Sequence, residues 1–259
     1  MIPVIIPYYK NKENLDKCIS HLQNQTVQVE IYVRDNNKDN VYFTAAVNEG
    51  IQNYLDKPCE YIVILNQDMY LDSLALENMR HFMDSNPLCG ISVPLQLDYK
   101  NPNYVIFAGG EKAFPSGKHQ NGPLLEFNRN EMILWGNGAC MMLRKKMIRE
   151  IGLFDKNYLF IGSDSDYCFT ARSRGWQIWR IANATGLHQC GASGELSDIN
   201  IELIKIKDMI YFGNKWLTSD LYKDLSYERQ ELNIENITTI IDELTETEKE
   251  LESICNNVI

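Results

Sequence analysis

Two polar loops carry the residues best suited to chemistry: Asp35-Asn36-Asn37 and Asn66-Gln67-Asp68, each following a short apolar run. In an open parallel sheet, ligands bind beyond the carboxyl ends of the strands, where such loops fall. No G-x-G-x-x-G follows the first apolar run and no Walker loop occurs, so a dinucleotide or P-loop protein would lack its phosphate cradle. Carboxylates at strand ends point instead to a divalent cation, Mn2+ or Mg2+, which takes oxygen ligands and bridges diphosphate oxygens. Ser163-Asp164-Ser165-Asp166 stands where a helix begins, and His188 follows an apolar strand. Trp135-Gly136-Asn137-Gly138 lacks Cβ at two positions, which lets backbone approach a ligand closely, beside the flat apolar ring of Trp135. Each group has a plainer alternative. Asp35 can cap its own turn, Asp68 can belong to the turn ahead of the next helix, and Ser and Asp at a helix start are ordinary caps. Gly-x-Gly can be a tight turn, and a lone histidine is more often structural.

The elements that must position these residues alternate in the first half. Apolar runs at 4–6, 29–33 and 61–65 read as strands, and helix-period segments at 14–25, 43–55 and 72–83 separate them. This order predicts an α/β fold built from βαβ units, with parallel strands and right-handed crossovers. Residues 98–130, rich in Gly, Pro, Asn and Tyr, read as long loops with short strands. Strands are expected at 133–135, 139–143 and 176–181, and helices at 145–151 and 165–174. In the tail, Ile234, Ile241 and Cys255 fall at one heptad position, and Ile237, Leu244, Leu251 and Val258 at another. That stripe must be covered, either by the chain's own domain or by a second copy in a homodimer.

The 25 basic and 35 acidic residues leave a net charge of −10, which disfavours non-specific binding to nucleic acid or an anionic bilayer. The 7 cysteines form no C-x-x-C pair and sit mostly in apolar segments, as expected of reduced, buried thiols. His188-Gln189-Cys190 offers too few ligands for structural zinc. The opening residues have no basic n-region, and no run is long enough to span a bilayer. A cytoplasmic protein without a transmembrane segment is the expectation.

The ordered set Pro7-Tyr8-Tyr9, Val33-Arg34-Asp35-Asn36-Asn37, Ala46-Val47-Asn48-Glu49-Gly50-Ile51, Leu65-Asn66-Gln67-Asp68, Trp135 to Arg144, Gly152-Leu153-Phe154-Asp155, Ser163 to Cys168 and His188 resembles family 2 glycosyltransferases. The similarity is closest to their rhamnosyltransferase-like branch. It implies a GT-A fold, a Rossmann-like and mostly parallel sheet flanked by helices, over residues 1–216, with a helical extension over 217–259. It also implies inverting transfer from a nucleotide-diphosphate sugar to an acceptor hydroxyl on a glycan, lipid-linked or protein acceptor, as in polysaccharide synthesis.

Carried over by position, Asp35 would meet the base or ribose, with Tyr8 and Asn48 lining the same pocket. Pro7, Asn37, Asn66 and Gln67 would complete the donor contacts. Asp68 matches the last acid of the family's D-x-D metal motif, with Asn66 at its first position, and His188 matches a further metal contact. Asp164 matches the general base, although Ser163 replaces its usual glutamate neighbour. Asp166 would position Asp164's partner or an acceptor hydroxyl, and Trp135, Gly136, Asn137 and Gly138 would lie against the sugar. The competing expectation is a catalytically weakened nucleotide-sugar-binding module that recruits a partner enzyme. A nucleotidyltransferase is disfavoured because Pro7-Tyr8-Tyr9-Lys10 lacks a glycine-rich loop. A glycosidase is disfavoured because no second catalytic carboxylate stands out.

Overall fold

The computed structural model describes residues 1–110, 119–189, 199–217 and 234–257. Its first half alternates as the pattern predicts: β1 (Ile2–Tyr8), α1 (Lys12–Gln23), β2 (Val29–Asp35), α2 (Tyr42–Gln52) and β3 (Tyr61–Leu65). There follow β4 (Met69–Leu71), α3 (Ala75–Ser85), β5 (Cys89–Asp98), β6 (Tyr104–Phe107), β7 (Gly122–Pro123), β8 (Glu131–Met132), β9 (Cys140–Arg144), α4 (Lys145–Ile151), α5 (Ser163–Ser173), β10 (Gln177–His188) and α6 (Ile199–Phe212). A π-helical turn, Gly213–Leu217, closes α6, and α7 (Ile234–Asn257) forms the tail.

The main sheet runs β2-β1-β3-β9-β5-β10-β4. β2, β1, β3, β5 and β10 point the same way, while β9 and β4 run against them. Parallel pairing of Tyr8 with Asp35, and of Ile5 with Ile64, brings the ends of β1, β2 and β3 to one edge of the sheet. The polar loops therefore meet there.

Period-two alternation splits the core between the faces. Ile5, Ile62, Ile64, Met141 and Leu143 enter one cluster; Val4, Ile6, Val63, Leu65, Cys140 and Met142 enter the other. Strands buried on both faces explain the near-continuous apolar runs. In α1, Leu15, Cys18 and Leu22 share one helical stripe, and the side chain of Asn11 caps the helix by accepting from the Asn14 N–H. α2 lies so close to β1 that a Cβ on Gly50 would stand 2.4 Å from Ile5 Cγ2. Ile5 is fully buried, so Gly50→Val is expected to cost about 3 kcal/mol by overpacking. An unchanged urea midpoint would contradict that packing.

Three departures from the expected elements bear on the site. β5 is unforeseen because Gly90 and Pro94 interrupt its apolar run. Pro94 is tolerated where the ladders are already broken: β9 pairs with β5 only at Ile91 and Ser92, and the β10 register shifts after Ile181. β10 does not end at Ile181 but steps over residues 182–184 and resumes at Thr185, carrying His188 opposite Met69 of β4. Residues 133–135 form no strand, although Ile133, Leu134 and Trp135 are buried in the core. The short ladder to β10 is made instead by Glu131 and Met132.

The first part of the tail stripe is covered by the chain itself, while Leu251 and Cys255 stay half-buried. Ile237 and Ile241 are buried in the first core cluster, with Ile240 and Leu244 packed against it. The side chain of Ile234, together with Val258, lies outside the described residues. Cys18, Cys89, Cys140 and Cys168 are buried free thiols, Cys59 and Cys255 are partly exposed, and Cys190 lies outside the described residues. Among the described residues, no helix is long and apolar enough to cross a membrane.

Candidate active site

A cavity of about 420 Å³ opens at the shared edge of β1, β2 and β3, within the roughly 300–1,000 Å³ usual for small-molecule sites. Pro7, Asn66, Gln67 and Asp68 line it, and Tyr9, Asn36, Asn40, Tyr42, Phe43, Phe160, Ile161, Ile201 and Lys205 are the other described residues of its wall. Lys205 is the cation among the described residues of this wall, and Glu202 pairs with it at 2.6 Å.

The loop amides hold the cleft edge together. Gln67 Oε1 accepts from the Tyr9 N–H at 2.9 Å and its Nε2 donates to the Tyr9 carbonyl at 3.1 Å, zipping the β1 loop to the β3 loop. Asn37 Oδ1 accepts from the Lys10 N–H at 2.9 Å and so ties the β2 loop to the same segment. Buried Arg34 donates to Glu49 of α2, to Asp39 and to Asn36 Oδ1. These bonds and charges hold its guanidinium above the usual arginine range.

Several expected donor contacts have other work. Asp35 is exposed and outside the cavity wall, and its Oδ1 accepts from the Asn37 N–H and side-chain amide at 2.8 and 2.6 Å. The backbone bond from Asn37 comes first among the effects that hold its carboxyl below the usual range. It caps its own turn. Tyr8 packs against the second core cluster, and its neighbour Tyr9 takes the place in the wall. Asn48 bonds the carbonyl and N–H of Phe154 at 2.9 and 3.0 Å, clamping α2 to the segment before α5.

At Asp68 the chemistry sharpens. The residue is 4% exposed, and its Oδ1 is buried with no hydrogen bond. His188 Nε2 stands 3.6 Å away, and the Asp68 carbonyl accepts from the Gln189 N–H at 3.0 Å. A buried carboxylate oxygen without a donor is costly, and a cation beside an imidazole nitrogen would satisfy it. The Asp68 carboxylate suits the oxygen preference of Mn2+ or Mg2+, and the His188 imidazole, a nitrogen ligand, suits Mn2+ better than the harder Mg2+. Among the described residues, no group of three His, Cys, Asp or Glu side chains could hold a metal alone. A metal at this pair would therefore need diphosphate and water oxygens to fill its shell.

The α5 start holds the other acids. Gly162, with φ of +78°, caps α5, and Asp164 lies half-buried in the first turn. Its Oδ2 accepts from the Gly138 N–H at 2.7 Å and its Oδ1 from the Ser165 N–H at 2.8 Å. Each carboxylate oxygen retains a second lone pair. Burial pushes the Asp164 carboxyl above the usual carboxylate range against the pull of those N–H groups. Burial likewise pushes nearby His119 down, opposed by the Asp164 charge. Asp164 does not line the cavity, and connects to it through Gly138, whose α-carbon abuts the Phe43 ring.

Asp166 has a different job from the one expected. It is 2% exposed, and its Oδ1 accepts from Trp216 Nε1 at 2.6 Å, Lys215 Nζ at 2.7 Å and Tyr158 at 3.1 Å. These bonds, all to Oδ1, pin the π-helical turn to α5. Removing such a buried partner strands its donors. Asp166→Ala is expected to lower stability by about 3 kcal/mol in urea unfolding; an unaltered midpoint with lost turnover would return Asp166 to the chemistry. Nearby, the buried Asp208 of α6 accepts from the N–H groups of Leu159, Phe160 and Ile161, which fixes the wall residues Phe160 and Ile161.

Gly136 and Gly138 lack Cβ for the protein's own sake: a Cβ would lie 2.4 Å from Val93 Cγ1 or from Phe43 Cζ. Trp135 is 2% exposed and faces Gly110, Phe107 and His119, so little of its ring is open to a sugar. Asn137 pairs with the buried side chain of Gln96.

No protein-family model matches the sequence, and no curated protein matches it. Solved structures do. GalNAc-T7 with UDP, GalNAc and Mn2+ superposes with a TM-score of 0.65 at 12% identity, over 96% of this chain and 54% of its own. The mannosyltransferase PcManGT from Pyrobaculum calidifontis, in complex with GDP-Man and Mn2+, gives 0.56 at 12% identity, over 99% of this chain and 75% of its own. The fold is GT-A. TarS 1-349 from S. aureus gives 0.55 at 12% identity, over 94% of this chain and 70% of its own. This chain thus spans about half the length of GalNAc-T7, and at such identities the likeness carries the GT-A architecture alone.

Proposed function

We propose that the chain is a metal-dependent inverting glycosyltransferase, of the family 2 kind and closest to its rhamnosyltransferase-like branch. It would move a sugar from a nucleotide diphosphate to an acceptor hydroxyl in glycan or cell-surface polysaccharide synthesis. The observation that carries this is the unbonded, buried Asp68 Oδ1 beside His188, in a nucleotide-sized cavity on a GT-A fold. The neighbours solved with UDP or GDP-Man and Mn2+ support the same chemistry.

In this proposal Asp68 and His188 hold Mn2+ or Mg2+, which when bound offsets charge on the departing diphosphate. Tyr9, Asn36 and Tyr42 supply the wall for the nucleoside, and Gln67 fixes the loop that carries Tyr9. Asp164 accepts the proton of the acceptor hydroxyl as that oxygen attacks the anomeric carbon from the face opposite the diphosphate. The Gly138 and Ser165 N–H groups aim its carboxylate. Residues 217–259 are read as an extension that packs on this unit through Ile237 and Ile241.

A binding module without turnover is the second reading, favoured by the place of Asp164 outside the cavity and by the commitment of Asp166 to Lys215 and Trp216. A thermal-shift panel of nucleotide diphosphates and nucleotide sugars, with and without Mn2+, tests the donor site, since a ligand at about 100 times its Kd adds about 2.7 kcal/mol. A modest shift with Mn2+ alone and the largest with nucleotide and metal together are expected. No metal-linked shift would refute the proposal. Metal-dependent hydrolysis of a nucleotide sugar by the purified chain would exclude the binding module.

A further inference from the structure

The buried amide of Gln96 is unused by the proposed chemistry, yet it touches His188. Gln96 and Gly186 are partners in the parallel β5–β10 ladder, so Gln96 and His188, two residues beyond Gly186, project from the same face. Gln96 is fully buried, and its Oε1 lies 3.0 Å from His188 Nδ1. Its other end meets Asn137: Gln96 Nε2 donates to Asn137 Oδ1 at 2.5 Å, and Asn137 Nδ2 donates back to Oε1 at 3.4 Å.

The direction of this chain is set by the backbone. The Ala139 N–H donates to Asn137 Oδ1 at 3.3 Å. With the Asn137 amide reversed, that N–H would face an NH2 group. Asn137 must therefore present oxygen to Gln96, and Gln96 must present Nε2 to Asn137 and oxygen to His188. An oxygen at Nδ1 requires a proton there, which in the neutral imidazole leaves the Nε2 lone pair directed at the Asp68 side, 3.6 Å from Oδ1.

We propose that Gln96, oriented by Asn137 and the Ala139 N–H, is the positioning residue that holds His188 in its Nδ1–H tautomer and so presents Nε2 as a ligand beside Asp68. This rests on the metal reading of Asp68 and His188. Outer partners of this kind fix the ring and tautomer of metal-binding histidines, and their loss typically weakens metal affinity about 10- to 100-fold.

The test uses the full chain at one alkaline pH where the imidazoles are neutral, with 15N-histidine spectra recorded without metal and His188 assigned by its loss in His188→Ala. The wild type should show His188 in the Nδ1–H form. Gln96→Leu should lose that preference, and Asn137→Ala, a milder change should Gln96→Leu fold poorly, should give mixed tautomers. An Nε2–H wild type, or variants that keep the Nδ1–H form, would overturn the proposal. Titration with Mn2+ alone then reads ligation. Gln96→Leu should bind about 10- to 100-fold more weakly, and adding it to His188→Ala should change nothing further. An equal loss in both backgrounds would make Gln96 merely structural and also overturn the proposal. A wild type that shows the Nδ1–H form yet binds no Mn2+ would instead defeat the metal reading, and with it the ligation half of this one.

Discussion

Asp164→Asn is expected to lower turnover about 100- to 10,000-fold, the usual contribution of a positioned base, while donor binding survives. The asparagine keeps an oxygen for the Gly138 or Ser165 N–H, so α5 and the Phe43 wall should stay in place. It cannot take a proton from an acceptor hydroxyl. The pH profile is a second readout. A base works deprotonated, and burial raises the Asp164 carboxyl. Activity should therefore climb with pH along an acid limb that lies above the ordinary carboxylate range, and that limb should be missing from residual Asp164→Asn activity. Wild-type turnover in the variant would remove Asp164 from the mechanism.

Asp68→Ala should act at the earlier step. Among the described residues, it removes the one acid that both lines the cavity and lacks a hydrogen-bond donor at a buried oxygen. Since outer partners alone account for about 10- to 100-fold in metal affinity, loss of the ligand itself should cost more than about 100-fold in Mn2+-dependent binding of a nucleotide diphosphate. The measurement is a calorimetric titration with and without Mn2+. The fold should survive, because the loop is also held by bonds from the Asn66 N–H to the Ala139 carbonyl and from Gln67 to Tyr9. Equal metal-dependent binding by variant and wild type would mean that the cation sits elsewhere.

The alternating half of the fold was legible because its signals are local. Strands buried on both faces leave apolar runs, and the stripe of Leu15, Cys18 and Leu22 marks a helix. β5 was not legible, since what tolerates Pro94 is a register shift in β10, a partner far along the chain. The same limit applies to the site. Pro7, Asn66, Gln67 and Asp68 lie where their own strand ends put them, so their place in the wall follows from short-range pattern. Phe160, Ile161, Ile201 and Lys205 reach the wall only through α6 and the Asp208 anchor, and no spacing announces that.

The motif residues also teach caution about positional carry-over. Asn48, Glu49 and Gly50 form a compact signature, yet Asn48 clamps Phe154, Glu49 pairs with Arg34 and Gly50 admits Ile5. None of the three lines the cavity. Asp35 likewise spends its oxygen on its own turn. Asp166 follows Asp164 by two residues, and only the arrival of Lys215 and Trp216 from the far end of α6 separates a structural acid from a candidate base.

Manganese anomalous diffraction from crystals grown with UDP or GDP and MnCl2 tests the central claim most directly. A peak within bonding distance of Asp68 and His188 Nε2, with the diphosphate against it, is the expected result. A bound nucleotide with no metal at that pair, or an intact carboxylate–imidazole contact closed to both, would contradict the account.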